Sequence, residues 1–125
     1  MATSSPIARL TDIIEAAELI RSEMAGVTLQ DLESDKRKRW LVERGIEIIS
    51  EASRHLSDEL KARHPEIPWS KVAGIGNVLR QEYERIAHDV LWRVVRDDLP
   101  PLEKTCREEL ARERAAERKS GKPSP

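Results

Sequence analysis

Aliphatic residues recur at steps of three and four along almost the whole chain, and this spacing restricts the fold more than any other feature. Ile7, Leu10, Ile13, Ile14, Ala17, Ile20 and Met24 mark one face of a first helix. Leu41, Val42, Gly45, Ile46, Ile48, Ile49, Ala52 and Leu56 mark a second, predicted over about 34–56. A third stripe consists of Val72, Ile75, Leu79, Tyr83 and Ile86, on a helix opened by Pro68 and Trp69. Val90, Leu91, Val94 and Val95 predict a short helix over 88–96, and Leu99, Leu102, Cys106 and Leu110 predict a last one. No segment alternates with period two, and no internal repeat occurs. The expectation is an all-α bundle.

Local signals punctuate these stripes. Ser5 is a candidate cap with Pro6 at the first helical position, and Gly26 ends that helix. "TLQD" at 28–31 predicts a short capped turn, and "SDEL" at 57–60 starts a short helix that ends before Pro65. Pro100 and Pro101 break a helix interior but fit a first turn, so Asp98 is the expected cap of the last helix. From Glu117 the chain reads "ERKSGKPSP", with nothing to bury. One domain over 1–116 followed by a disordered basic tail over 117–125 is expected.

Charged residues make up 36% of the 125 residues, against roughly 25% in an average protein. This suits helices with solvated outer faces. The net charge is -1, so any nucleic-acid binding must come from a local patch. A single cysteine excludes an internal disulfide and disfavours a thiolate zinc site. The opening "MATSSPIARL" lacks a basic head followed by an apolar run, so no secretory signal is expected. No apolar stretch approaches the ~20 residues of a membrane span. A cytoplasmic location is the default.

Most candidate sites read first as structure. "GIG" at 74–76 is not a phosphate loop, because no strand precedes it and no Gly-Lys-Ser/Thr follows. His55, His64 and His88 are scattered and read as surface or cap residues, and Cys106 reads as a core thiol. "DKRKR" at 35–39 reads as a solvated basic helix start, with an RNA contact as the alternative. Tyr83, the only tyrosine, falls on an inward stripe with its hydroxyl at the rim. One stretch resists this treatment. "GIGNVLRQEY" at 74–83 puts two glycines inside a helical run, each costing about 1 kcal/mol relative to alanine.

Four segments taken in order carry a resemblance: "RLTDIIEAAELI" at 9–20, "VERGIEIISEAS" at 42–53, "HPEIPWSKVAGIGNVLRQEY" at 64–83 and "LWRVVRDDLPPL" at 91–102. The chain resembles the HepT-like proteins of the HEPN superfamily. The resemblance implies a HEPN-type four-helix bundle with additional short helices, acting as a homodimer with no cofactor. It further implies the toxin of a type VII toxin–antitoxin pair, a metal-independent endoribonuclease. The family's antitoxin is an MNT-type nucleotidyltransferase that transfers AMP onto a motif tyrosine, here Tyr83. The family motif is arginine, four to six residues, histidine, one residue, tyrosine, and two copies meet in one composite cleft.

The motif chemistry is coherent. Moving the 2'-hydroxyl and leaving-group protons without a metal needs a group that titrates near neutrality, as imidazole does. A guanidinium forks onto two oxygens of the phosphorane. This sequence departs from the motif at two positions: Gln81 stands where the histidine falls and Gly76 where the arginine falls, while Asn77 and Tyr83 remain. Glutamine has no useful pKa. Arg80, one turn beyond Gly76, is a candidate relocated cation, and Gly74 matches a family glycine where two helices approach closely. The site expected from the resemblance is therefore Arg80, Gln81, Tyr83 and Asn77, with RNA as substrate. The alternative is a catalytically inactive HEPN homologue that serves as a dimeric binding module for a nucleotidyltransferase.

Overall fold

In a computed structural model the chain is described over residues 5–81 and 84–119, with side chains of 80–87 outside the description. The helices are α1 (Ile7–Met24), α2 (Leu29–Ser34), α3 (Lys36–Arg54), α4 (Asp58–Ala62), α5 (Trp69–Gln81), α6 (Glu84–Arg93) and α7 (Leu99–Lys119). A π-helical turn, Val94–Asp98, joins α6 to α7. Among the described residues there is no strand. The fold is the all-α, HEPN-type helical arrangement that the periodicity and the resemblance predict.

The helix starts follow local chemistry. Thr28 and Asp31 form a reciprocal capping box on α2, Asp35 accepts from the Lys38 amide to start α3, and Ser57 accepts from the Leu60 amide to start α4. Gly26 takes φ +73, a conformation that favours glycine, and turns the chain after α1. Pro6 itself occupies the cap position of α1.

α1 and α3 form the central pair, with α7 packed on α1 and α5 on α3. Leu10, Ile13, Ile20, Val42, Ile46, Ile49, Leu91, Val94, Leu102 and Cys106 fill the core between them. At Gly45 the Ile20 side chain packs into the space left by the missing side chain: a Cβ there would lie 2.6 Å from Cδ1 of Ile20. The predicted stripe of α3 is too wide by one residue, since Ile48 lies on the surface. Glu103 of α7 accepts from Arg21 of α1 at 3.2 and 3.0 Å, and Arg107 reaches both Glu103 and Glu18, closing the α1–α7 seam on its outer side.

The prolines do not begin a new helix. Asp98 lies inside the π-helical turn rather than capping α7, and the helical path runs through. A proline ring clashes with the carbonyl four residues back, and neither proline has an amide to donate. Widening the turn to a π step relieves both problems, and the Leu99 amide bonds to Val94 O. Helix α7 also continues to Lys119, past Glu117 where a disordered tail was expected; 120–125 lie outside the described residues.

Candidate functional site

Helix α5 carries the anomalous glycines, and two side chains of α3 hold its first half in place. Ser50 Oγ donates to the Val72 carbonyl at 2.8 Å, and Arg54 Nη2 donates to the Ala73 carbonyl at 2.8 Å. At its start, Trp69 Nε1 donates to the carbonyls of Lys61 and His64, which ties the α4–α5 connection to the helix. Val72 and Ile75 face the core, as predicted, and Leu79 is partly buried.

The two glycines have different surroundings. Gly76 is buried on α3, where a Cβ would lie 3.8 Å from Ser50 Oγ and 4.0 Å from Glu47 Cγ, ordinary contact distances. A Cβ at Gly74 would meet nothing within 4 Å. The close helix approach expected at Gly74 is therefore absent within the described residues of one protomer. Within the protomer the tightly filled glycine is Gly45, against the Ile20 side chain. Val78, one turn beyond Gly74 on the same face, is 42% exposed.

Of the predicted site residues, Asn77 is exposed on α5 beside Gly76. Arg80 and Gln81 belong to the same helix, and position 80 follows Gly76 by one turn on the same face. Their side chains, and Tyr83 altogether, lie outside the described residues. The space left by Gly76 borders Glu47, a carboxylate that the sequence pattern did not single out. In the structure Glu47 shares a helical face with Ser50 and Arg54, the two residues that hold α5.

A second group that the sequence pattern did not single out is structural. Glu109 is 2% exposed, and its carboxylate accepts from Arg63 at 3.2 and 2.8 Å and lies 2.6 Å from His64 Nε2. The Arg63 hydrogen bonds hold the Glu109 carboxyl below its ordinary pKa; burial opposes this and His64 adds to it. Nδ1 of His64 faces Glu66 at 3.4 Å, so both ring nitrogens address carboxylates. His64 is thus more than the surface or cap residue expected. Glu109 stands seven residues after Leu102 on the buried stripe of α7, and a carboxylate there requires a buried cation. This cluster fastens the end of α4 to α7. His55 pairs with Glu51 on the surface, as expected, and burial pushes the Cys106 thiol up to about 12, as befits a core residue.

The basic run at 35–39 divides. Asp35 caps α3, Lys38 pairs with Glu23 at 2.8 Å, and Arg39 is buried with its guanidinium on the carbonyls of Leu32 and Glu33. Lys36 and Arg37 stay exposed. The expectation of a wholly solvated basic helix start is corrected: half of it is structural. Among the described residues no group of three or more His, Cys, Asp or Glu is placed to hold a metal ion, and no helix is long and apolar enough to cross a membrane.

The family described as "Ribonuclease HepT-like" matches residues 13–109, a span that runs from α1 through α5 into α7. A protein named "Probable ribonuclease HepT" from Thermococcus cleftensis is 39% identical over 93 residues, covering 74% of this chain and 84% of the relative. Two proteins named "Putative RNase" are also similar. One, from Methanocaldococcus jannaschii, is 32% identical and covers 76% of this chain and 87% of its own. The other, from Caldanaerobacter subterraneus subsp. tengcongensis, is 28% identical and covers 88% and 98%. No solved structure matches the chain. By the extent of the family match and the identity to these relatives, the chain belongs to the HepT-like ribonuclease family.

Proposed function

We propose that this protein is the toxin component of a type VII HepT/MNT toxin–antitoxin system, acting on RNA as a homodimer whose cleft combines two copies of the α5 region. The observation that carries this reading is the family match over 13–109, which spans the entire motif stretch 76–83. Arg80 is the cation of the cleft, Asn77 and Gln81 are its hydrogen-bonding groups, and Tyr83 is the residue that accepts AMP from an MNT-type nucleotidyltransferase. In the reaction the 2'-oxygen attacks the adjacent phosphorus and the bond to the 5'-oxygen breaks, leaving a 2',3'-cyclic phosphate. The proton of the 2'-hydroxyl must leave and one must reach the 5'-oxygen. Gln81 cannot carry either proton, so this chain lacks an acid–base contribution of roughly 10²–10⁴-fold. Adenylation of Tyr83 adds a phosphodiester charge and a bulky nucleoside at the cleft, which repels and blocks RNA.

A second reading, a catalytically inactive homologue that binds a nucleotidyltransferase, is favoured by Gly76 and Gln81 together. Restoration separates the two. A Cβ at position 76 makes only ordinary contacts, so Gly76→Arg is expected to fold. Single-turnover cleavage of labelled RNA in EDTA should be slow or absent for wild type, present for Gln81→His, and greater for Gln81→His with Gly76→Arg. A folded, dimeric double variant without cleavage would leave the binding module standing. Incubation with an MNT-type enzyme, ATP and magnesium should add adenylate mass to wild type and none to Tyr83→Phe.

A further inference from the structure

The chain has only four aromatic residues, three tryptophans and one tyrosine, yet it spends one tryptophan on the surface. Trp69 and Trp92 pack against the core, whereas Trp40 on α3 is 61% exposed. The ammonium of Lys36 stands 5.2 Å from the centre of its ring. Four cations, Lys36 to Arg39, crowd the first turn of α3, where the positive end of the helix dipole disfavours them. Lys38 and Arg39 have structural partners that account for their presence. Lys36 and Arg37 lie exposed on the same turn as the tryptophan, and among the described residues neither makes an ion pair. Residues 35–44 hold five cations against two carboxylates in a chain of net charge -1, and one of those carboxylates, Asp35, is occupied as a cap.

The position of this group gives it a use. Trp40 precedes Glu47 by seven residues and so shares its face of α3, about 10 Å away along the axis. Glu47 borders Gly76, so that face is the one running beside α5. Arg44 lies between them and pairs with Glu47 at 3.4 Å. We infer that Trp40, Lys36 and Arg37 form a single-stranded RNA subsite: one base stacks on the indole while the two cations hold the flanking phosphates. Stacking on an aromatic face is tolerant of sequence, and cations beside it track the backbone. The subsite would hold substrate nucleotides next to the α5 cleft and so rests on the RNA-directed reading above.

The test is binding of a fluorescently labelled, uncleavable 2'-O-methyl RNA of about twelve nucleotides, read by anisotropy. Trp40→Ala should raise Kd by about five- to a hundredfold, with Trp40→Phe retaining most of the affinity. Replacing the bases by abasic residues at the same length should abolish the difference between wild type and Trp40→Ala. Lys36→Ala with Arg37→Ala should flatten the slope of log K against log salt by about 0.7 for each phosphate that is no longer neutralised. Equal Kd for wild type and Trp40→Ala, with wild type binding RNA, would overturn the subsite and leave the ribonuclease reading intact. Absence of RNA binding by wild type would overturn both. A Trp40→Ala protein that loses its dimeric mass in sedimentation would show the indole to be a protein contact instead.

Discussion

At Gly45, in the seam between α1 and α3, an added Cβ would lie 2.6 Å from Cδ1 of Ile20, whereas a Cβ at Gly74 on α5 would meet nothing within 4 Å. The first glycine is explained inside the protomer: the Ile20 side chain fills the space a Cβ would take. The second is not. A glycine in a helix interior costs about 1 kcal/mol relative to alanine, and nothing in the described protomer repays that at Gly74. Gly76 is intermediate, buried on α3 but with room for a methyl group. The buried seam between α1, α3 and α7 is filled within the protomer. The outer face of α5, with Gly74 and the exposed Val78, is open in the described protomer, and it is the face that the proposed homodimer would cover.

The strongest way to break the α1–α3–α7 side is to remove Glu109. Glu109→Ala leaves Arg63 and His64 turned toward a buried void and should cost about 3 kcal/mol in urea unfolding. The sign of its pH dependence is fixed. Because the folded-state pKa of Glu109 is depressed, the wild-type advantage is complete above the ordinary glutamate value of 4.5. It is lost as the pH falls below that, through the folded-state pKa. Melts of wild type and Glu109→Ala should therefore converge in acid; a gap that persists there would argue against the ionised cluster. Next in size, Gly45→Val should destabilise by about 2 kcal/mol through overpacking against Ile20, measured by the shift in denaturation midpoint.

Substitutions on α5 should have the opposite sign. Gly76→Ala should raise protomer stability by up to about 1 kcal/mol, since its methyl group meets Ser50 and Glu47 at ordinary distances and the unfolded chain loses freedom. A destabilised Gly76→Ala would show that position 76 is pressed harder than the protomer indicates. The smallest effect concerns Cys106. With the thiol fully buried and pushed up to about 12, it should resist alkylation at pH 8 in the folded protein and react on unfolding.

Much of the fold was legible because most of its determinants are local. The stripe of α1 and the capping signals at Thr28 and Ser57 depend on residues a few positions apart, and each predicts its element. The π-helical turn was not legible, because a pair of prolines can either start a helix or be absorbed by widening one. Which occurs depends on how α6 and α7 pack. The partition of the basic run was equally hidden: Arg39 differs from Arg37 only in facing the end of α2, a tertiary fact. At the candidate site the positions of Gly76, Asn77, Arg80 and Gln81 on one helix were legible from periodicity. The neighbouring Glu47, twenty-nine residues before Gly76, could be found only once α3 was laid beside α5.

The central claim is that the α5 face is completed by a second copy of the chain, and sedimentation equilibrium at micromolar concentration tests it most directly. Wild type should run at twice the mass of the chain. Gly74→Leu should fold, since a Cβ there meets nothing within 4 Å among the described residues, but should run at the single-chain mass if the proposed partner packs on this face. A wild type that is monomeric, or a Gly74→Leu protein that stays dimeric, would contradict the account.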